Sequence, residues 1–258
     1  MPEWIKEKIL SYTGKINGME RLGNALCNRV YCLDAENGRY IVKIAGGEKR
    51  KKELSNEATV MKFLQNQIDV PEVFLYREAT EIACLLMAYI DGTDFQSVLG
   101  HGELDKTNFL YDLGQTLRKI HNVKLPREYR YQDVMERFIS QAEMNMADGL
   151  LDPDEFVIGG VFTGARELLN VLAAQEMEET EVCLLHGDFR PKNVIFNPKC
   201  VVIDWGFCTV GDPYYDLAMI LYYFDKQEQA AFLDGYGIRN LDDARLTYFE
   251  NMSRFINV

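Results

Sequence analysis

Short apolar runs separated by turn residues dominate the first ninety residues of the chain. Five of these runs predict β-strands, at residues 16–22, 29–33, 40–45, 73–76 and 81–87. Asn37-Gly38, between the second and third runs, is a typical hairpin turn. Apolar residues recur at helical intervals in two further segments, 3–12 and 48–65, which predict amphipathic helices. The pattern therefore indicates an antiparallel sheet accompanied by two helices.

After residue 92 the apolar residues follow mainly helical spacing. Helices are expected at residues 94–99, 105–123, 131–147, 153–178, 226–235 and 241–256, and the stretch 211–218 opens a further helix that continues to about Phe224. Shorter apolar runs predict strands at residues 182–185, 194–196 and 201–203. The pattern changes at Ala88–Gly92, a segment too short and too poor in Gly and Ser to be a flexible linker. We therefore predict an α+β protein of two packed lobes, residues 1–90 and residues 91–258.

Three polar side chains follow or precede the short apolar runs of the C-terminal half: Asp188, Asn193 and Asp204. Taken one at a time, such residues are usually turn formers. Their combined spacing is more specific, because HGDFRPKN at 186–193 and DWG at 204–206 match the H-x-D-x-x-x-x-N and D-x-G catalytic set of protein kinases. Carboxylate and amide oxygens suit Mg²⁺ and its bound phosphates. The stretch therefore predicts a phosphate and metal site.

Lys43 is a charged residue inside an otherwise apolar strand, where alternation places it on the same face as Ile41 and Ala45. A lysine that reaches solvent from an edge strand is the simpler explanation. The helix that follows, however, contains Glu57 within its apolar stripe. Because an unpaired buried carboxylate is costly, Glu57 needs a cation, and Lys43 is the nearest candidate. Kinases hold their phosphate-binding lysine with such a pair.

The composition is that of an ordinary globular protein, with 47% hydrophobic and 26% charged residues among 258. No apolar run approaches the ~20 residues of a membrane span, and the N-terminal MPEWIKEKIL lacks the apolar core of a signal peptide. The six cysteines form no CxxC pair and lie mostly in apolar runs, which favours buried free thiols over zinc or disulfides. We expect a cytoplasmic protein without a membrane-bound segment.

These motifs together resemble the aminoglycoside phosphotransferase and choline kinase family, which are small-molecule relatives of the protein kinases. The resemblance extends from about residue 16 to the end and includes Asp212-Pro213, Asp216-Leu217-Ala218 and the hinge-like segment 85–92. It implies a bilobal, protein-kinase-like fold with an antiparallel sheet in the N-terminal lobe and a mainly helical C-terminal lobe. It also implies ATP and Mg²⁺ as cofactors and transfer of a phosphoryl group to a hydroxyl of a small molecule.

The resemblance assigns roles to the residues of the catalytic set. Asp188 would orient the acceptor hydroxyl and take its proton. Asn193 and Asp204 would hold Mg²⁺ on the phosphates. Lys43, placed by Glu57, would contact the α- and β-phosphates.

Further roles are implied for the nucleotide pocket and for the loop that contains Asp188. The carbonyl of Ala88 and the amide of Ile90 would bind the adenine edge, and the slim Met87 before them favours ATP over GTP. Gly23, with Asn28 five residues later, lies where a loop would cover the phosphates. Asp216 would brace the catalytic loop; a carboxylate that merely caps the first turn of a helix is the alternative. Arg190 stands where protein kinases place a basic residue near the γ-phosphate.

Two departures argue against a protein kinase. The phosphate loop has no G-x-G-x-x-G, and Asp216 comes only ten positions after Gly206, without the A-P-E of an activation segment. Gly187 favours the aminoglycoside branch, since the choline branch tends to have Asn there. A choline-like or other small-metabolite kinase remains an alternative. A catalytically inactive kinase fold that serves as a binding module is another, and the presence of the complete residue set argues against it.

The distribution of charge bears on the acceptor. The net charge of −12 argues against nucleic acid as a partner. Residues 1–90 contain 13 Lys and Arg against 12 Asp and Glu, whereas residues 91–258 contain 15 against 28. In the family that the sequence resembles, the acceptor binds the C-terminal lobe, and a negative field concentrates cations. Solubility alone would also explain an acidic surface. We expect a cationic small-molecule acceptor.

Overall fold

The computed structural model describes residues 3–22, 29–100, 106–125, 134–158, 161–162, 164–175 and 182–256. The α-helices are α1 Glu3–Thr13, α2 Glu48–Leu64, α3 Phe95–Gly100, α4 Lys106–His121, α5 Val134–Ala147, α6 Ala165–Ala174, α7 Tyr214–Leu221, α8 Lys226–Tyr236 and α9 Asp243–Ser253. The strands are β1 Ile16–Leu22, β2 Arg29–Ala35, β3 Gly38–Gly46, β4 Val73–Glu78, β5 Ile82–Ala88, β6 Thr93–Asp94, β7 Val157–Ile158, β8 Val161–Phe162, β9 Cys183–Leu185, β10 Val194–Asn197, β11 Lys199–Val202 and β12 Thr209–Gly211.

The chain forms two compact units. The first unit consists of residues 1–102 and 192–208, and the second unit of residues 103–191 and 209–258. The N-terminal segment of the first unit ends at residue 102, twelve residues after the predicted boundary at residue 90. This segment includes β6, which pairs with β10 and thereby joins the β10–β11 hairpin to the first unit. As a consequence, Asn193 and Asp204 belong to the first unit, whereas Asp188 belongs to the second.

A five-stranded antiparallel sheet of order β1-β2-β3-β5-β4 forms the centre of the first unit. Alternation along β3 separates its two faces. Tyr40, Val42 and Ile44 are buried in a core that includes Ile5 and Ile9 of α1. Lys43 therefore points to the opposite face, where its side chain meets α2. The expectation of an antiparallel sheet with two accompanying helices is confirmed.

The core of the second unit is formed by helices α5, α6, α7 and α9, whose buried residues include Phe138, Leu169, Met219 and Phe249. The helix expected over 153–178 is wrong in its first half, since Pro153–Phe156 is a 3₁₀ turn and β7 pairs with β8 as a hairpin. The sequence there places Val-Ile and Val-Phe on either side of Gly-Gly, and β-branched and aromatic residues around a glycine pair favour a hairpin over a helix. Only α6 retains the expected helix.

Glycines allow α4 and α8 to touch at the level of their backbones. A Cβ added to Gly114 would lie 2.1 Å from the carbonyl oxygen of Phe232, and one added to Gly235 would lie 2.0 Å from the carbonyl oxygen of Tyr111. Real Cβ atoms do not approach backbone so closely, so either addition would force the two helices apart.

We expect Gly235→Ala to lower the free energy of unfolding by about 1–3 kcal/mol, as over-packing typically does. The gain in helix propensity, up to ~1 kcal/mol, acts in the opposite direction. Urea unfolding measures the difference. Gly18→Ala is the control, because its added Cβ would meet nothing nearer than 3.8 Å. Equal stabilities for the two variants would contradict the backbone contact.

The described part of the chain contains neither a disulfide bond nor a helix that could span a membrane. Its cysteines, five in number, are free thiols, as expected, and four of them are buried. None of its helices is long and apolar enough to cross a lipid bilayer.

Candidate active site

Lys43 lies between two carboxylates of the first unit. Its Nζ is 2.7 Å from Oε1 of Glu57 and 2.8 Å from Oδ1 of Asp204. Lys43 and Glu57 are buried, whereas the side chain of Asp204 is 42% exposed and thus accessible to a ligand. The structure therefore contains the expected Lys43–Glu57 ion pair. It also brings Asp204, 161 residues away in sequence, to the same ammonium group.

The surroundings of this triad determine its protonation. Burial disfavours the charge of Lys43, but the carboxylates of Asp204 and Glu57 outweigh burial and raise the pKa of the lysine above its ordinary value. Burial raises the pKa of Glu57, an effect that the charge of Lys43 partly offsets. Lys43 therefore remains a cation at neutral pH and can bind phosphate oxygens.

Asn193 and Asp204 are neighbours at one end of the β10–β11 hairpin. The N–H of Ile203 donates to the carbonyl of Asn193 at 2.9 Å, so the residue before Asp204 is held against Asn193. Asn193 is buried. Asp204 has a positive φ of 67°, an uncommon conformation that Asp tolerates better than most residues. The indole Nε1 of Trp205 donates to the carbonyl of Val202 at 2.9 Å and anchors the next residue.

The donors at this position fit Mg²⁺. No group of three or more His, Cys, Asp or Glu within the described ranges could hold a metal by itself. Mg²⁺ is usually bound by one or two protein oxygens together with substrate phosphates and waters, so a carboxylate and an amide are a sufficient protein contribution.

The hinge-like segment continues from β5. Met87 is buried and pairs with Ile41 of β3, two positions along the ladder from the Lys43–Leu85 pair. The N–H of Ala88 donates to the carbonyl of Glu72 at 2.8 Å, and the N–H of Tyr89 donates to the carbonyl of Arg39 at 3.3 Å. Neither donor is one of the groups expected to bind adenine, which are the Ala88 carbonyl and the Ile90 amide. The residues expected to cover the phosphates, Gly23 and Asn28, lie outside the described residues.

In the second unit, Asp188 is buried and forms an ion pair with the guanidinium of Arg190. The N–H of Asp188 donates to Nδ1 of His186 at 3.2 Å. Burial disfavours the charge of Arg190, but the carboxylate of Asp188 outweighs it and raises the pKa of the guanidinium; Tyr223 acts in the same direction. Arg190 therefore stays charged and fixes the orientation of the Asp188 carboxylate.

Asp216 fastens the backbone of the loop that contains Asp188. Its carboxylate accepts hydrogen bonds from the N–H of His186 at 2.7 Å and from the N–H of Gly187 at 2.9 Å. Gly187 has a φ of 80°, which favours glycine. Asp216 is completely buried in the first turn of α7. Capping alone does not describe these contacts, because both bonds run to the backbone of the loop; the bracing role of Asp216 stays a prediction.

His121 extends this network. Its Nε2 lies 3.2 Å from Oδ2 of Asp216, and its Nδ1 lies 2.7 Å from the hydroxyl of Tyr236. Both ring nitrogens are therefore used inside the second unit, which is typical of a structural histidine. No local pattern in the sequence singles out Tyr236, because its contact with His121 joins α8 to α4 across 115 residues.

The fold is that of kinase-like phosphotransferases. The crystal structure of an aminoglycoside-3'-phosphotransferase of type VIII superposes on this chain with a TM-score of 0.73 and 21% identity. The match covers 98% of this chain and 100% of the other chain. A phosphotransferase from Streptomyces rimosus, in complex with ADP and streptomycin, covers 98% of this chain and 97% of its own, also with a TM-score of 0.73 and 21% identity.

Sequence comparison defines the family. The model of the phosphotransferase enzyme family matches residues 19–249, and the chain belongs to this family. An aminoglycoside 3'-phosphotransferase from Niallia circulans is 24% identical over 211 residues, which are 78% of each chain. Another from Streptomyces fradiae is 22% identical over 252 residues, covering 86% of this chain and 92% of its own. The expected family and the class of enzyme are confirmed.

Proposed function

We propose that this phosphotransferase moves the γ-phosphate of ATP to a hydroxyl of a small cationic molecule, with an aminoglycoside as the first candidate. The observation that supports it best is the triad of Lys43, Glu57 and Asp204, because it supplies a permanent cation and an accessible carboxylate for a nucleotide. The names of the relatives, and the ADP and streptomycin bound to one related structure, favour this donor and this acceptor class.

Each residue has a part in the proposed reaction. Lys43, held by Glu57, neutralises charge on the α- and β-phosphates. Asn193 and Asp204 provide the oxygens for Mg²⁺, which would supply charge neutralisation on the phosphates. Asp188 orients the acceptor hydroxyl and accepts its proton as the phosphoryl group is transferred. Because that transition state is loose, positioning and charge contribute more than activation of the nucleophile.

The binding-module alternative and the choline-like alternative are separated by one experiment. A coupled assay of ADP release would compare aminoglycosides, choline-like amines, amino alcohols, sugars and nucleosides as acceptors. We expect the largest kcat/KM with an aminoglycoside. Absence of acceptor-dependent ADP release throughout would favour a binding module, and a preference for choline-like amines would place the chain in the other branch.

Salt should reveal whether the acidic residues attract the acceptor. Exposed charges are screened over ~8 Å at physiological ionic strength. We therefore expect kcat/KM for a cationic acceptor to fall by about tenfold between low and high salt, within the range that electrostatic steering spans. A neutral acceptor from the same screen is the control. A flat salt profile for the cationic acceptor would leave solubility as the only explanation of the charge.

Neutralising one acidic residue at a time also tests whether the acidic residues attract the acceptor. Asp225 and Glu228 form a capping box at the start of α8, so their replacement would destabilise that helix and confuse the result. Asp234 is exposed on α8 and is the better choice. Asp234→Asn should reduce the salt dependence without a change in the melting temperature.

A further inference from the structure

Asn56 of α2 contacts the segment that follows Asp204. Its side-chain amide donates to the carbonyl of Gly206 at 3.1 Å and to the carbonyl of Cys208 at 3.0 Å. An amide has two N–H groups, so one side chain can satisfy both carbonyls. None of the roles derived above involves Asn56, and both of its partners lie in the first unit.

Asn56 is one of three α2 residues that hold this segment. Glu53, Asn56 and Glu57 occupy positions i, i+3 and i+4 and thus share one side of the helix. Glu57 accepts a hydrogen bond from the backbone of Trp205. A Cβ added to Gly206 would lie 3.4 Å from the carbonyl oxygen of Glu53, so the two backbones are close. This side of α2 therefore contacts residues 205, 206 and 208 in turn.

The contact matters because of the conformation of Asp204. A left-handed Asp is costly unless the surrounding structure enforces it. On one side, the Ile203 N–H fixes the approach to Asp204. On the other side, Asn56 holds the carbonyls of Gly206 and Cys208. Hydrogen bonds to the main chain thus support the left-handed conformation of Asp204 from both sides.

We propose that Asn56 is a positioning residue that holds Asp204 in the orientation required to bind Mg²⁺ with the nucleotide. This inference rests on the metal-binding role of Asp204 in the proposed function. Asn56 and Glu57 then act together: Glu57 positions Lys43, and Asn56 positions the carboxylate that Lys43 contacts. The placement of α2 thereby sets both the lysine that contacts the phosphates and the carboxylate that holds their Mg²⁺.

Calorimetry of ATP binding, with and without Mg²⁺, tests the proposal without an acceptor. In Asn56→Ala, the increase in ATP affinity that Mg²⁺ produces should be reduced about tenfold, because two ordinary hydrogen bonds are lost. ATP affinity in the absence of Mg²⁺ should be unchanged. Asn56→Gln keeps both N–H groups and should recover part of the Mg²⁺ effect.

Amide hydrogen exchange gives a second measurement that needs neither metal nor nucleotide. The amides of residues 204–208 should exchange faster in Asn56→Ala than in the unmodified protein. Asn145→Ala is the matched control, because Asn145 is a buried asparagine whose amide donates to the carbonyl of Phe255 at 2.7 Å in the second unit. It should lower the melting temperature comparably and leave both measurements unchanged.

The outcomes separate this inference from the proposed function. If Asp204→Ala abolishes the Mg²⁺ effect but Asn56→Ala retains it in full, Asn56 has only a structural role and the inference is overturned. If Asp204→Ala itself retains the Mg²⁺ effect, the metal role of Asp204 fails first. If Asn56→Ala does not fold, the Mg²⁺ effect on ATP binding is measured in Asn56→Gln, and the amide exchange of residues 204–208 is measured in Asn56→Ser. The same two criteria then apply.

Discussion

Replacing Asp188 with Asn is expected to reduce turnover by at least ~10²-fold, while the affinity for Mg-ATP remains nearly unchanged. Asn has the shape of Asp, but its amide cannot accept the proton of the acceptor hydroxyl. Arg190 would also lose the carboxylate that it contacts. Single-turnover measurement of phosphoryl transfer, together with calorimetry of nucleotide binding, gives both quantities.

The exposed Asp148, exchanged for Asn in the same way, is the control for Asp188 and should retain normal turnover. Turnover within a few-fold of the unmodified protein in Asp188→Asn would remove Asp188 from the mechanism. A loss of nucleotide affinity equal to the loss of turnover would instead show that the substitution disturbs the fold.

Replacing Asp204 with Ala is expected to abolish the contribution of Mg²⁺ to ATP binding. This substitution is informative because it leaves the buried Lys43–Glu57 ion pair in place. The fold should therefore persist, and the melting temperature should fall only by the amount that corresponds to the ~1–2 kcal/mol that Ala costs in the left-handed conformation of residue 204. Calorimetry with and without Mg²⁺ measures the effect, and an Mg²⁺ contribution equal to that of the unmodified protein would mean that the phosphates bind elsewhere.

Lys43→Ala differs from Asp204→Ala in its effect on the fold. It would leave Glu57 buried without its cation, and breaking a buried pair in this way costs about 3–5 kcal/mol. The double variant Lys43→Ala/Glu57→Gln avoids the unpaired charge. Weak ATP binding in the double variant, at a melting temperature closer to normal, would assign the loss to the phosphate contact of Lys43.

The sequence predicts those parts of the site that stand out against a local pattern. Lys43 and Glu57 are charges inside two apolar patterns, and burial makes each require the other. Asp188, Asn193 and Asp204 follow a spacing that is improbable for ordinary turns. Their roles remain predictions, whereas the contacts of Lys43 with both carboxylates are present in the structure.

Contacts that join distant segments leave weaker signals in the sequence. Asn56 is an unfavourable residue for the middle of a helix, and this is its only local indication of a special role. Gly114 and Gly235 are likewise poor helix formers, and their use becomes clear only when α4 and α8 are seen to touch. The β7–β8 hairpin was missed because two-residue strands have too few positions to show alternation.

The division of the first unit between residues 1–102 and 192–208 has a consequence for biosynthesis. Ribosomes add about 5–20 residues per second, so roughly 5–20 s pass between completion of the first segment and emergence of the second. During this interval the first unit lacks the β10–β11 hairpin, which pairs with β6 in a separate three-stranded sheet, and Asp204 is not yet available to Lys43. The N-terminal segment must therefore avoid aggregation until residues 192–208 have been synthesised. A fragment that ends at residue 102 would lack these residues permanently.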